Sequence, residues 1–202
     1  MKKIWLAGLI LSLMAIPSLV SADEATKAFR GQQKEKRKAH HEQQKTENQE
    51  FRQGLKGMEP QERIQAIKQH REEQFGENKA FRDQMHQQNV SYMKDHWANN
   101  QKLTDAEKEE LASFFESQYQ ENISFREQQH SENMAFLDQL AANSNMTQEE
   151  RKQALKEHFA QQKSENQAHR EEQKGERKSE KDKIHSQVKS RKQAEQVPAA
   201  GQ

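Results

Sequence analysis

The sequence predicts an all-α fold of four long helices in antiparallel hairpins, and two observations lead to it. The 202 residues are 31% hydrophobic and 32% charged, so the chain cannot bury a thick globular core. Gln, Asn, His and aromatic residues nevertheless recur with an eleven-residue period, which follows one face of a nearly straight helix. Long helices with eleven-residue (hendecad), coiled-coil-like packing satisfy both observations.

The N-terminal segment is typical of a secretory signal peptide. Lys2 and Lys3 precede a long apolar run, and small residues end that run before Asp23. We expect residues 1–22 to be cleaved and the mature protein to be released into the periplasm, with no stable membrane insertion. A retained transmembrane anchor is the alternative, and Pro17 together with the small residues favours cleavage instead.

The repeating stripe, which we call the seam, continues through the four predicted helices at 24–56, 60–99, 105–142 and 148–192. Glu-Asn-x-x-Phe recurs along it, with His replacing Phe in the last copy, at Glu47, Glu77, Glu121, Glu132 and Glu165. We expect each Asn to lie between helices, where its amide bonds a facing amide and fixes the register at some cost in stability. The alternative is that these Asn residues are exposed and recur only because the repeat was duplicated.

Helix-start signals separate the later segments. Thr104 with Glu107, and Thr147 with Glu150, match the capping box. In this motif the Thr side chain accepts a hydrogen bond from a free backbone amide, and the Glu side chain reaches back to the amide of the Thr. These signals predict that helices begin just after Thr104 and Thr147.

The second predicted helix begins at Glu59-Pro60, with proline at the first helical position and Glu59 expected to act as the cap. Residues 58–84 and 146–172 align without a gap, and 103–140 form a more diverged third copy, so the chain is built from duplicated helical hairpins. Short connections make neighbouring helices antiparallel. The predicted domains are a signal peptide at 1–22, an elongated helical-hairpin domain at 23–192 and a disordered tail at 193–202.

The predicted turns resemble those of a known family. "LTDAEKEEL" from Leu103 and "MTQEERKQAL" from Met146 are similar to the turn motif, LTxxQ, of the periplasmic Spy/CpxP family. The resemblance implies an envelope-stress role in which helical hairpins bind unfolded clients without ATP, and some relatives bind or sense metals. Glu stands where the family has Gln, and Met146 stands where it has Leu. The turn-motif residues are Leu103, Thr104, Glu107, Met146, Thr147 and Glu150.

The sequence argues against an enzyme. It has no Cys, no glycine-rich phosphate loop and no recognisable catalytic constellation, so we expect neither catalysis nor a cofactor. A formal net charge of +1 provides no overall field that would attract nucleic acid. The nine histidines lack the spacing of a metal site on one helix. A metal site assembled between helices, for example from His70 and His158, stays open as an alternative.

Apolar residues directly after seam residues widen the stripe on one side, as at Met93, Phe115 and Phe159. Such a strip is suited to adaptable contacts with unfolded envelope proteins, or to a homodimer interface. The sequence therefore predicts an ATP-independent, chaperone-like periplasmic protein, with a metal-responsive protein and a structural coiled-coil spacer as alternatives. The expected client-binding residues are Phe81, Met85, Tyr92, Met93, Trp97, Phe114, Phe115, Phe125 and Phe136.

Overall fold

A computed structural model describes residues 22–143 and 145–196, and this part of the chain is 91% helical without a strand. Its four helices are α1 (Ala22–Gly54), α2 (Pro60–Ala98), α3 (Asp105–Ala142) and α4 (Gln148–Gln196). The predicted all-α, four-helix class is therefore confirmed. The largest difference in bounds is at the end of α4, which continues to residue 196 instead of 192. The eleven-residue period of the packing stays a prediction.

Two predicted segments fall mainly beyond the described part of the chain. Apart from Ala22, where α1 begins, the predicted signal peptide lies outside the described residues, and so do residues 197–202 of the predicted tail. None of the helices in the described ranges combines the length and the apolar character needed to cross a membrane.

The described residues form two units, at 22–43 and 44–196. The first is the N-terminal part of α1, in which Gln33 is buried. The second contains the last part of α1 together with α2, α3 and α4, and every contact described below lies within it.

The helix starts at α3 and α4 follow the predicted capping chemistry. The Glu107 amide donates to Thr104 Oγ1 at 3.2 Å, and the Thr104 amide donates to Glu107 Oε2 at 2.7 Å. Thr147 and Glu150 make the same reciprocal pair at 2.8 and 3.3 Å. Both predicted capping boxes are therefore confirmed. Each one satisfies two backbone amides that have no partner inside the helix.

The start of α2 differs from the prediction. Pro60 does open the helix, but the Glu59 side chain makes no capping hydrogen bond, so the expected cap at this residue is wrong. A proline has no amide hydrogen, which leaves one fewer donor to cap at this end. In the preceding turn Gly57 has a φ of 83°, a left-handed conformation that glycine adopts without strain.

Successive helices are antiparallel, because residue numbers rise along one helix as those of its contact partners fall along the next. Toward the end of α1, Gln44 contacts Asn78 and Phe51 contacts His70. The α2–α3 contacts include the pairs Lys68–Asp138, Lys79–Glu127 and His86–Glu116. The α3–α4 contacts include the pairs Asn133–His158, Asn122–His169 and Glu107–Arg191. α3 therefore packs against both α2 and α4.

The interior is thin and contains as much amide as hydrocarbon. The buried apolar side chains of the second unit are Met85, Leu137, Leu140 and Ile184, and its buried glutamines are Gln44, Gln118, Gln162 and Gln173. A buried amide is costly unless it is hydrogen-bonded. Gln162 Nε2 donates to the Gln129 carbonyl and Gln173 Nε2 to the Gln118 carbonyl, both at 3.2 Å. Glutamine thus ties α4 directly to the backbone of α3.

Candidate functional site

The seam is built from a repeated three-residue arrangement, first seen between α1 and α2. The His70 ring stacks on Phe51 with centroids 3.8 Å apart and planes 14° apart. Its Nε2 also lies 3.1 Å from Asn48 Oδ1, and Asn48 is three residues before Phe51. We call this a histidine clasp: a His that stacks on an aromatic ring and hydrogen-bonds a side-chain oxygen three residues before that ring.

Two further clasps join α3 to α4. In each, the ring centroids are 4.1 Å apart and the His Nε2 lies 3.0 to 3.3 Å from the Asn Oδ1. The members of these clasps are Asn122, Phe125 and His169 in one and Asn133, Phe136 and His158 in the other. The Asn-x-x-Phe spacing therefore places an acceptor and a ring where one facing imidazole contacts both.

Each clasp Asn uses its amide nitrogen on its own helix. Asn48, Asn122 and Asn133 donate Nδ2 to the carbonyl four residues earlier at 2.7 to 2.8 Å. The Oδ1 atom is then left as the acceptor, so the clasp His must carry its proton on Nε2. Asn48 and Asn122 also donate across to Gln74 and Gln173, which confirms the predicted amide contacts between helices.

The α2–α3 pair uses a charged version of the clasp. His86 stacks on Tyr119 at 3.7 Å and lies 2.8 Å from Glu116. His130 stacks in the same way on Phe75, 4.0 Å away, and its Nε2 lies 3.0 Å from Glu72 Oε2. Hydrogen bonds from Gln120 and His86 lower the pKa of Glu116. The acceptor is thus a carboxylate between α2 and α3 and an amide in the other two helix pairs.

The α2–α3 turn is tied to the far end of α4. Arg191 bonds Glu107 at 2.8 Å and also donates to the Lys102 carbonyl. The Glu107 carboxylate is buried, and hydrogen bonds from the Thr104 amide and Arg191 hold its pKa below the ordinary value of 4.5. Leu103 is half-buried beside this turn.

The α3–α4 turn is held by an arginine that the sequence argument did not single out for this role. Arg151 donates to the carbonyls of Leu140, Asn143 and Met146 at 2.8, 2.6 and 3.3 Å. These carbonyls lie at the C-terminal end of α3 and in the turn, where no amide of the same helix is available to donate to them. Arg63, at the aligned position in the other copy of the repeat, donates to the Met58 carbonyl at 3.0 Å. The alignment of the two copies is the signal that could have identified both residues.

One face of the second unit combines arginines with apolar side chains. Residues that directly follow the seam share one side of each helix. Some of them, such as His86 and Tyr119, pack between α2 and α3, and others reach the surface. Arg71 of α2 lies 5.3 Å over the Phe159 ring of α4, and Trp97 of α2 packs 5.7 Å from Phe115 of α3. We call this the arginine–aromatic face, formed by Arg71, Arg82, Met93, Trp97, Phe115, Arg126, Phe159 and Arg170, whereas Leu137 at the same repeat position is buried.

The arginine–aromatic face is accessible at its aromatic residues and positively charged between them. Phe159 is 43% exposed, a high value for a large apolar side chain, and Trp97 and Phe115 are half-buried. Burial lowers the pKa of Arg71, Arg82 and Arg126, that of Arg82 to about 10, so all three stay charged at neutral pH. These arginines are not among the expected client-binding residues, although they occupy the same repeat position as Phe115 and Phe159.

The expected client-binding residues divide between this face and the seam. Met93, Trp97 and Phe115 lie on the face, and Phe114 packs edge-on to Phe115 at 6.0 Å. The seam members differ in exposure: Met85 is buried, whereas Phe125 and Phe136 are half-buried and stacked on clasp histidines. Phe81 and Tyr92 are half-buried, and Tyr92 stacks on His96 at 6.0 Å.

The described ranges hold no group of three His, Asp or Glu side chains arranged to take a metal ion. Fold and face together define an all-α protein of antiparallel helices with polar seams and an open arginine–aromatic surface. No protein-family model matches this chain, and neither a curated protein nor a solved structure is similar to it. The chemistry of its own surfaces therefore carries the functional argument.

Proposed function

We propose that the protein is exported to the periplasm and there binds exposed apolar segments of unfolded envelope proteins, holding them against aggregation without nucleotide. The exposure of Phe159 beside Arg71 carries the proposal. Phe159 keeps an apolar ring in water, and together with the half-buried Trp97 and Phe115 it supplies the accessible apolar surface that client binding needs. The Spy/CpxP-like turns at Leu103 and Met146 agree with the same role.

The composition of the arginine–aromatic face supports weak and reversible contacts. Aromatic and Met side chains adapt to varied apolar segments, and Arg side chains attract acidic stretches of the same client. Phe159 lies on α4 and Trp97 on α2, so the accessible aromatic side chains of this face come from different helices. We do not place client contacts at Met85, because its side chain is buried.

An aggregation assay with a reduced, unfolding client tests the proposal. The wild type is expected to suppress light scattering, and a variant with Trp97, Phe115 and Phe159 changed to Ser is expected to lose suppression while circular dichroism shows unchanged helicity. Leu55→Ser is the control, since it removes a half-buried apolar side chain at the α1–α2 turn, away from this face. A wild type that suppresses nothing at equimolar ratio would contradict the proposal and favour a structural spacer.

The metal-responsive alternative predicts a different outcome. His70 and His158 already use Nε2 in hydrogen bonds to Asn48 and Asn133. Zn²⁺ bound at those nitrogens would have to displace both bonds, so metal binding should perturb the clasps. Calorimetry with Zn²⁺, repeated after His70→Phe and His158→Phe, separates the two functions. Tight binding that disappears in these variants would replace the chaperone proposal.

A further inference from the structure

Three arginines on the arginine–aromatic face belong to one group. Arg82, Arg126 and Arg170 come from α2, α3 and α4, and each directly follows a seam residue, at intervals of 44 residues read from the sequence. The positive charge of Arg126 contributes to lowering the pKa of Arg82, and that of Arg170 contributes to lowering the pKa of Arg126. Geometry agrees with this order, since Phe125 stacks on His169 and the Tyr119 hydroxyl bonds Asp83, each next to one of these arginines or facing it. Arg126 therefore lies between Arg82 and Arg170, and its charge acts with each of them.

No carboxylate of the described chain neutralises this group by direct contact. Arg82 Nη1 is buried and has no hydrogen-bond partner. Asp83, whose charge acts on Arg82, accepts a hydrogen bond from the Tyr119 hydroxyl. Within residues 22–143 and 145–196, Arg126 and Arg170 form neither an ion pair nor a side-chain hydrogen bond. By contrast, Arg191 at the end of the same helix as Arg170 has a carboxylate partner.

We propose that Arg82, Arg126 and Arg170 form a binding site for a phosphate group. Arg126 and Arg170 are exposed and Arg82 is half-buried, so an oxyanion can approach the three positive charges from solvent. A phosphate monoester carries about −1.5 to −2 charge at neutral pH and three strong acceptor oxygens, which suits neighbouring guanidinium groups supplied by three helices. The site shares its arginines with the proposed client-binding face, but phosphate binding needs no apolar segment, so the two activities can be measured separately.

Calorimetry and NMR on the wild-type protein test the site without any client present. Inorganic phosphate is expected to bind and to shift the Nε–H signals of Arg82, Arg126 and Arg170 more than those of other arginines. Titration with sodium chloride to the same ionic strength controls for general screening. No phosphate binding, or equal shifts at all arginines, would overturn the site. Aggregation suppression is measured separately, so the two proposals can fail independently.

A matched pair of variants provides the second arm. Changing Arg82, Arg126 and Arg170 singly to Gln is expected to weaken phosphate binding by about tenfold each, which is the effect of one charge-assisted hydrogen bond. Changing the exposed Lys152, Lys163 and Lys178 singly to Gln removes the same charge per variant elsewhere and should leave binding unchanged. Equal binding by the two sets would overturn the site, even if the Arg variants alter thermal stability.

The source of the phosphate group is settled by a third arm. Vesicles of phosphatidylcholine with phosphatidic acid present the group on a lipid surface, whereas inorganic phosphate presents it free. Binding to either that Arg126→Gln weakens by about tenfold supports the site and identifies its source. Binding to vesicles that is unchanged by Arg126→Gln would show adsorption through other charges and overturn the assignment.

Discussion

At the scale of single residues, the seam relies on side chains that each make two contacts. In the clasp of Asn122, the amide nitrogen bonds its own helix while the oxygen accepts from His169, whose ring also covers Phe125. The stack contributes about 0.5–1.5 kcal/mol beyond burial, and the hydrogen bonds about 1 kcal/mol each. Removing one member leaves the others unsatisfied.

Replacing a clasp Asn by Leu is therefore expected to destabilise the protein. Asn122→Leu leaves His169 without its acceptor and Gln173 without its donor, at an expected cost of about 1–3 kcal/mol in the free energy of unfolding. Urea denaturation followed by circular dichroism measures it. Gln167→Leu, at an exposed position of α4, is the control. The sequence pattern alone predicts the reverse, so a gain in stability would favour a role in register over one in satisfying hydrogen bonds.

The two aligned arginines of the turns should differ in importance. Arg151→Ala removes donors from three carbonyls, whereas Arg63→Ala removes one bond at an exposed site. We expect Arg151→Ala to lower the free energy of unfolding by about 1.5–3 kcal/mol and Arg63→Ala by less than half as much. Equal losses in thermal or urea unfolding would show that the number of bonds to the turn does not matter.

At the scale of the helices, the capping boxes of α3 and α4 are alike in local geometry and different in surroundings. Glu107 is buried and bonded to Arg191, whereas Glu150 is exposed and contacts Thr147. Capping lowers the pKa of both carboxyl groups. A carboxyl whose pKa is lower in the folded state stabilises the protein above its unfolded pKa, and this contribution is lost as pH falls through the folded value.

Acid stability should therefore depend on Glu107. As the pH falls below the ordinary carboxyl pKa of 4.5 the wild type is expected to lose stability, and Glu107→Gln should flatten that dependence because the residue no longer titrates. The same change at Glu150 should flatten it less, since no arginine pairs with that carboxylate in the described chain. Denaturation midpoints at several pH values measure the slopes. Identical slopes in wild type and Glu107→Gln would contradict the assignment.

At the scale of the second unit, α3 is the helix with the most support. It packs against both α2 and α4 and carries Glu107, Gln118, Leu137 and Leu140, all buried. Native-state hydrogen exchange is expected to be slowest in the middle of α3 and fastest in the last turn of α4. Uniform protection along all four helices would contradict this order. Protection lowest in α3 would place the stable part of the protein elsewhere.

Much of the architecture could be predicted from the pattern because helix formation is local. The four helices, their starts at Thr104 and Thr147, and the amide contacts between helices follow from a period that the chain repeats many times. The predicted cap at Glu59 was wrong because a capping side chain must also point at the free amides. The residue type alone does not determine that orientation. The signal peptide, the client and the dimer stay predictions.

The sequence by itself determined the helices and the stripe that joins them, since spacing along a helix fixes which residues share a face. Only the tertiary structure decided what meets across the seams: that His158 and His169 close onto Asn and Phe, that Glu takes the place of Asn between α2 and α3, and that Arg151 binds a turn. Those pairings depend on the axial offset between neighbouring helices. The offset is set by many weak contacts at once, so no single stretch of sequence specifies it.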